Sequence, residues 1–199
     1  GIKSFLTGND GTRIESPQFL KSALRQLRRT NRAVSRKQKG SNGRRKAVQN
    51  LARVHRRVAN LRDNWQWQEA NRLVAGHDNL VFETLSMAGM KARWGRKVSD
   101  YAFSAFINKT AWLAAKNGRK FIQIDRFELT TKKCSCCGHI QPLTLEVRRW
   151  SCVACMAIHD RDQNAAVNIL EAGRGLWREG AVIPAPQAAL VNNAESHRL

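Results

Sequence analysis

Acidic side chains are the scarce ingredient of this 199-residue chain. Asp and Glu number 15 against 35 Lys and Arg, leaving a formal charge of +20 at pH 7. Between Lys21 and Arg72 the only acids are Asp63 and Glu69. Charge of one sign on that scale repels itself unless an anionic partner neutralises it, so nucleic acid is the expected partner. Long apolar runs are missing too. None reaches the length of a membrane span and no signal-peptide pattern opens the chain, so the reading includes no membrane. Cysteine is sparse, with five residues. Four of them fall in a metal-ligand pattern, which suits a reducing, cytoplasmic compartment. What is present is a hydrophobic fraction of 42%, enough for a core in one domain with insertions or in two small ones.

The chemistry is concentrated between Lys132 and Leu170, KKCSCCGHIQPLTLEVRRWSCVACMAIHDRDQNAAVNIL. Two CxxC pairs, Cys134/Cys137 and Cys152/Cys155, stand a ribbon's length apart. Each knuckle supplies two thiolates, and two knuckles close a tetrahedral zinc site. A redox pair or a disulfide is the competing reading, and the ribbon-length loop argues against it. Cys136, inside the first knuckle, reads as a bystander. Four thiolates leave no open coordination position, so this zinc is structural and the chemistry lies elsewhere. Asp160 and Asp162 are the nearest candidates. An Asp ahead of a helix is ordinarily a cap. Two of them beside a ribbon in so basic a chain also suit magnesium, a hard cation that takes carboxylate oxygens. With Arg148, Arg149 and Arg161 nearby, the ribbon is expected to brace the Asp162 turn and to touch nucleic acid.

Upstream, Ile2, Phe5 and Leu6 supply a strand, Asn9-Asp10-Gly11 a turn, and Thr12 to Glu15 a return strand. Ser16-Pro17 reads as a helix start. Leu20, Leu24, Leu27 and Val34 follow heptad spacing, with Asn31 in the missing slot. After the KGSNG linker, Lys39 to Gly43, the spacing resumes at Leu51, Val54, Val58, Leu61 and Trp65. Two such helices predict an antiparallel hairpin. Its other faces are basic: Arg25, Arg28, Arg29, Arg32, Arg36, Lys37, Arg44, Arg45, Lys46, Arg53, Arg56 and Arg57 are the candidate phosphate-backbone contacts. Asn79 to Leu85 reads as a buried strand carrying Glu83, either a rim residue facing water or a metal ligand. Ser86 to Lys97 reads as a loop, Tyr101 to Lys116 as one amphipathic helix, and Phe121 to Asp125 as a strand whose Asp125 serves the turn. Gly175 to Leu199 reads as a mostly disordered tail. The order of elements suggests an α/β sheet with helical insertions.

These motifs together resemble the TnpB family, transposon-encoded relatives of the type V CRISPR effector nucleases. KCSCCG…WSCVACMAIHDRDQNAAVNIL resembles their zinc ribbon and last RuvC-like motif. LVFETLSMAGM, Leu80 to Met90, resembles the second motif. GIKSFLTGNDGTRIESPQFLKSALRQLRR resembles the segment after the first motif, and the basic helical pair resembles their helical insertion. The likeness covers about Gly1 to Leu170.

The resemblance implies an RNase H-like (RuvC) mixed sheet from residues 1–16, 77–131 and 157–172. The basic hairpin occupies 17–76, the ribbon 132–156, and the tail 173–199. It implies RNA-guided, magnesium-dependent DNA cleavage. Glu83 and Asp162 would be two of three catalytic carboxylates and magnesium ligands, and Cys134, Cys137, Cys152 and Cys155 the zinc ligands. Asp160 would then cap or support the final helix. The partners implied are guide RNA, target DNA, and the N-terminal part of the same protein or a separate chain. The family's first catalytic Asp would precede Gly1 by two residues. A nuclease-inactive RNA-guided DNA-binding protein, and a zinc-ribbon subunit needing a separate chain, are the alternative expectations.

Overall fold

The computed structural model describes residues 4–144 and 146–178. The N-terminal hairpin pairs β1 (Leu6–Thr7) with β2 (Arg13–Ile14). Asp10 organises its turn, its carboxylate accepting from the Thr12 amide at 2.9 Å and the Thr12 hydroxyl at 2.6 Å.

Helix α1 (Phe19–Ser35) follows. Ser16 does not cap it. Gln18 sits in a left-handed conformation at φ 52° with no capping side chain. The cap arrives from elsewhere in the fold. Asp100, buried, accepts from the amide of Leu20 at 3.0 and 3.1 Å and from that of Lys21 at 3.3 Å. A carboxylate at a helix N-terminus satisfies orphan donors and meets the positive end of the dipole, which local sequence could not foretell.

Ser41 accepts from the Arg44 amide at 3.1 Å and starts α2 (Asn42–Gly76), about 52 Å long at 1.5 Å per residue. Leu27 and Val34 on α1 face Ala47, Val54 and Val58 on α2, so the hairpin forms as the heptads required. The seam stops there. Leu61 is 44% exposed, because α2 outruns α1 and changes partner. Its C-terminal half presents Gln66, Glu69, Ala70 and Val74 to the core instead.

β3 (Asn79–Glu83) and β4 (Lys120–Ile124) pair in parallel, with Glu83 opposite Ile124. Parallel strands need a crossover. It consists of α3 (Met87–Tyr101) and α4 (Phe103–Lys116). The expected loop at Ser86 to Lys97 is therefore helical, with its glycine signal reduced to a kink at Gly95. The expected single helix from Tyr101 breaks at Ala102, which adopts φ 47°. The Gln66 amide donates to the carbonyls of Tyr101 at 2.9 Å and Ala102 at 3.2 Å, satisfying the break from across the core. Phe5 is the aromatic hub, within 4.9–5.8 Å of the rings of Trp65, Tyr101, Phe103 and Phe106.

β5 (Arg149–Ser151) and β6 (Ile158–Asp160) pair antiparallel, and α5 (Arg161–Arg178) closes the fold. Among the described residues the strands form three separate pairs where one mixed sheet was expected. Strands of two or three residues offer few ladder bonds through which pairs could join. The tail expected from residue 173 also needs correction. Helix α5 runs on to Arg178 because Gly173 crosses β3 closely: a Cβ there would stand 2.5 Å from a Val81 methyl. Residues 179–199 of that expected tail lie outside the described residues.

Candidate metal centre and carboxylate cleft

Two matching turns build the four-cysteine centre. In the first knuckle the Cys134 amide donates to His139 O and the Gly138 amide to Cys134 O; in the second, Cys152 donates to Ala157 O and Met156 to Cys152 O. Gln141 joins the knuckles, accepting from the Val153 amide at 3.1 Å. The Sγ atoms of Cys134, Cys137, Cys152 and Cys155 all lie within 4.8 Å of one another, with 3.7 Å from Cys134 to Cys155 and 3.6 Å from Cys137 to Cys152. Zinc–sulfur bonds of about 2.3 Å in a tetrahedron put sulfurs about 3.8 Å apart, so the cluster can hold a metal ion of that kind. Cys136 is exposed and outside it.

Four thiols this close resist joint ionisation. Burial opposes ionisation of Cys152, but the Cys155 and Ala154 amides and the neighbouring thiols outweigh it and bring the group to about 6. The Ala157 amide favours the Cys155 thiolate, yet the surrounding sulfurs, Cys137 foremost, push it up to about 12. A divalent cation is the natural remedy for that conflict.

His159 was missed as long as the HDRDQN stretch read as a turn. It lies on β6 opposite Trp150, rings 4.6 Å apart, with Nε2 3.1 Å from Cys134 Sγ. Two amide side chains of α5 were missed as well. Asn164 accepts from the Ser135 amide at 2.9 Å and donates to Lys133 O at 2.8 Å; Asn168 donates to Thr130 O and Lys133 O at 2.8 and 2.7 Å. These bonds staple the first knuckle to the helix that carries Asp162.

Glu83 and Asp162 line one cleft of about 450 Å³. Glu83 ends β3, while Asp162 lies in the first turn of α5. The protein packed around Glu83 raises its carboxyl above the ordinary range, and the charge of Asp162 acts in the same direction. Asp162 faces two guanidinium groups, Arg148 at 3.5 Å and Arg161 at 3.8 Å. These two ribbon-side arginines are thus turned onto the carboxylate, and Arg161 also donates to Val147 O at 3.3 Å. Asp160 points away to structural work. Its carboxylate accepts from the amides of Asp162 at 3.1 Å and Gln163 at 3.2 Å, and pairs with Arg13 at 2.8 Å. Burial raises the Asp160 carboxyl, but those amides and Arg13 outweigh it and hold it low. Asp10 is a third carboxylate on the cleft, one the sequence assigned only to its turn. Asp125 takes the turn role expected of it, accepting from the Phe127 amide at 2.8 Å.

On the hairpin, Arg25, Arg28, Arg29, Arg32, Arg36, Lys37, Arg45, Lys46, Arg53, Arg56 and Arg57 are all exposed. Arg44 is half-buried and donates to Val34 O at 3.3 Å, closing the end of α1. No helix among the described residues is long and apolar enough to cross a membrane.

A mixed α/β body with a four-cysteine ribbon and a basic helical pair defines a class that known proteins share. A family described as "Probable transposase" matches residues 1–93, and one described as "Cas12f1-like, TNB domain" matches 103–169. A Streptomyces pristinaespiralis protein named as an RNA-guided DNA endonuclease is 37% identical over 176 residues, covering 87% of this chain and 44% of that protein. A TnpB-like protein of Acanthamoeba polyphaga mimivirus is 27% identical over 193 residues, covering 89% of this chain and 37% of that one. The solved Cas12f1–sgRNA–target DNA complex shares the fold at a TM-score of 0.53 and 18% identity, over 79% of this chain and 43% of that one. The two family matches and these relatives make the chain similar, over most of its length, to TnpB-like proteins and RNA-guided DNA endonucleases. The chain spans less than half the length of these relatives.

Proposed function

We propose that this chain forms the nuclease part of an RNA-guided DNA endonuclease. Its core, 1–16 with 77–131 and 157–172, is of the RNase H-like (RuvC) kind, with 17–76 as basic insertion and 132–156 as zinc ribbon. The observation that carries the reading is the cleft shared by Glu83 and Asp162, which come from strand and helix 79 positions apart in sequence, with the charge of Asp162 acting on Glu83. A carboxylate whose proton affinity is raised by its surroundings and by a second carboxylate's charge suits a hard divalent cation. Glu83 and Asp162 would hold magnesium, which when bound supplies charge neutralisation for phosphodiester cleavage. Arg148 and Arg161 hold Asp162 in place from the ribbon side, and Asp160 fixes the helix start beneath it.

The exposed basic faces of α1 and α2 contact the sugar–phosphate backbone of the guide RNA–target DNA heteroduplex, which is gripped by shape and charge while base pairing reads sequence. The four cysteines hold a structural zinc that braces α5. The setting is the cytoplasm, at the nucleoid.

The test is cleavage by the full-length protein with its guide RNA and magnesium. Asp162→Asn and Glu83→Gln are expected to abolish cutting while zinc content and DNA binding persist. An Asp162→Asn protein that cuts at the parent rate overturns the assignment.

A further inference from the structure

The turn between β4 and the ribbon, residues 125–130, carries a feature that neither fold nor cleft uses. Phe127 is 74% exposed, and the Arg126 guanidinium carbon lies 4.4 Å from its ring centroid. A phenylalanine left in water gains nothing for the fold, so its orientation is informative only if the backbone beneath it is fixed. It is fixed at both ends. Asp125 accepts from the Phe127 amide at 2.8 Å, and Thr130 N donates to Glu128 O at 2.8 Å. Upstream, the Ile124 carbonyl accepts from both the amide and the hydroxyl of Thr84, the residue after Glu83. Downstream, the Thr130 carbonyl accepts from Asn168 on α5, the helix of Asp162. The turn therefore spans the two elements that carry the cleft carboxylates and displays an exposed aromatic ring with a cation beside it.

We propose that Arg126 and Phe127 form a seat on which an unpaired nucleobase stacks, holding a single-stranded segment beside the Glu83–Asp162 cleft. The aromatic face accepts any base, and the guanidinium adds attraction for base and backbone phosphate. Because hydrogen bonds hold the turn at both ends before binding, less ordering cost is left to oppose the stack. A chain of charge +20 draws the polyanion to it. The seat rests on the nuclease reading only for its purpose, which is to present a strand for cutting.

The test is fluorescence anisotropy of this chain, zinc-loaded and without magnesium, against a labelled oligothymidylate, an oligouridylate and a DNA duplex at one salt concentration. Phe127→Ala is expected to weaken single-strand binding by about ten-fold, within the range of one base–aromatic stack, and to leave duplex binding unchanged. Phe127→Trp is expected to restore it, and Arg126→Ala to lower affinity less. A loss on oligothymidylate assigns the seat to a DNA strand, and a loss on oligouridylate to RNA. Unchanged single-strand affinity in Phe127→Ala, equal loss on the duplex, or no restoration by Trp overturns the proposal. Cleavage does not enter this assay. A chain that stacks a base yet never cuts would remove the nuclease reading and leave the seat standing.

Discussion

The helical hairpin and the ribbon with α5 are held together by different physics. The α1–α2 seam is a stripe of buried aliphatic side chains, Leu27 and Val34 on one helix, Val54 and Val58 on the other. Among the described residues, the ribbon's buried apolar core is Cys134, Trp150 and Cys152, with Leu143 and Val147 against it. Its order comes from sulfur geometry and from side-chain amides that reach backbone carbonyls. An apolar stripe is stabilised by area removed from water and fails gradually as area is lost. A closed metal site with a small core is all or nothing. The hairpin is therefore a charged helical pair held by apolar burial, and the ribbon a small-cored unit tied by Asn164 and Asn168 to the helix that carries Asp162.

Metal removal is the largest way to break that contrast. Structural zinc sites contribute about 10–16 kcal/mol of coupled binding and folding free energy in isolated finger peptides. Chelation, or Cys152→Ser, is expected to abolish hydrogen-exchange protection at the Cys152 and Met156 amides while the amides around Val54 keep theirs. Joint loss of protection would show one cooperative unit in place of two. The converse change is Leu27→Ala, expected to cost about 2–5 kcal/mol in urea unfolding through lost burial and a residual cavity, with zinc still bound. Leu61→Ala, beyond the seam, is expected to stay within about 0.5 kcal/mol of the parent.

A smaller effect sharpens the same comparison at the ribbon. Asn168→Ala leaves the Thr130 carbonyl without its side-chain donor and the Lys133 carbonyl with that of Asn164 alone, a cost of about 1–3 kcal/mol. Lys133 immediately precedes Cys134, so zinc affinity in a chelator competition is expected to fall by about 10- to 100-fold, as when other supports of a ligand are removed. Unchanged affinity would mean the knuckle holds its shape without α5.

Legibility in sequence follows the same division. Heptad spacing and CxxC pairs are local, so the hairpin and the cysteine centre could be read directly. The seam's end at Leu61 could not, because it depends on α2 exchanging α1 for α4. Nor could the cap on α1, supplied by Asp100 across a long stretch of chain. The loop expected at Ser86 to Lys97 became helix α3, with a kink at Gly95, and the close crossing of Gly173 against Val81 could not be read from sequence at all. Glu83 and Asp162 were singled out through the family resemblance, but that they line one cleft is a product of packing. The supports around them, Asn164, Asn168, His159 and Asp10, are polar residues whose roles appear only once their partners are placed.

The smallest predicted effect concerns pH, and it separates cleft from hairpin. Glu83 is exposed at the end of β3, but desolvation by the protein around its carboxyl raises it above its ordinary value, so the folded chain binds that proton more tightly than the unfolded chain. The stability it contributes is full below the unfolded value and is lost as pH rises through the folded one. Glu83→Gln removes that slope. Without magnesium the variant is expected to gain stability relative to the parent as pH rises from acid to neutral, read as urea midpoints across that range. Helix α1, which contains no acidic residue, contributes no carboxylate to such a slope. Adding magnesium at neutral pH is expected to stabilise the parent and leave Glu83→Gln nearly unmoved, because only an ionised Glu83 lends charge to the cation. A Glu83→Gln chain that loses stability relative to the parent over the same rise in pH would mean that the ionised carboxylate braces the fold, and the cleft would then belong with the scaffold.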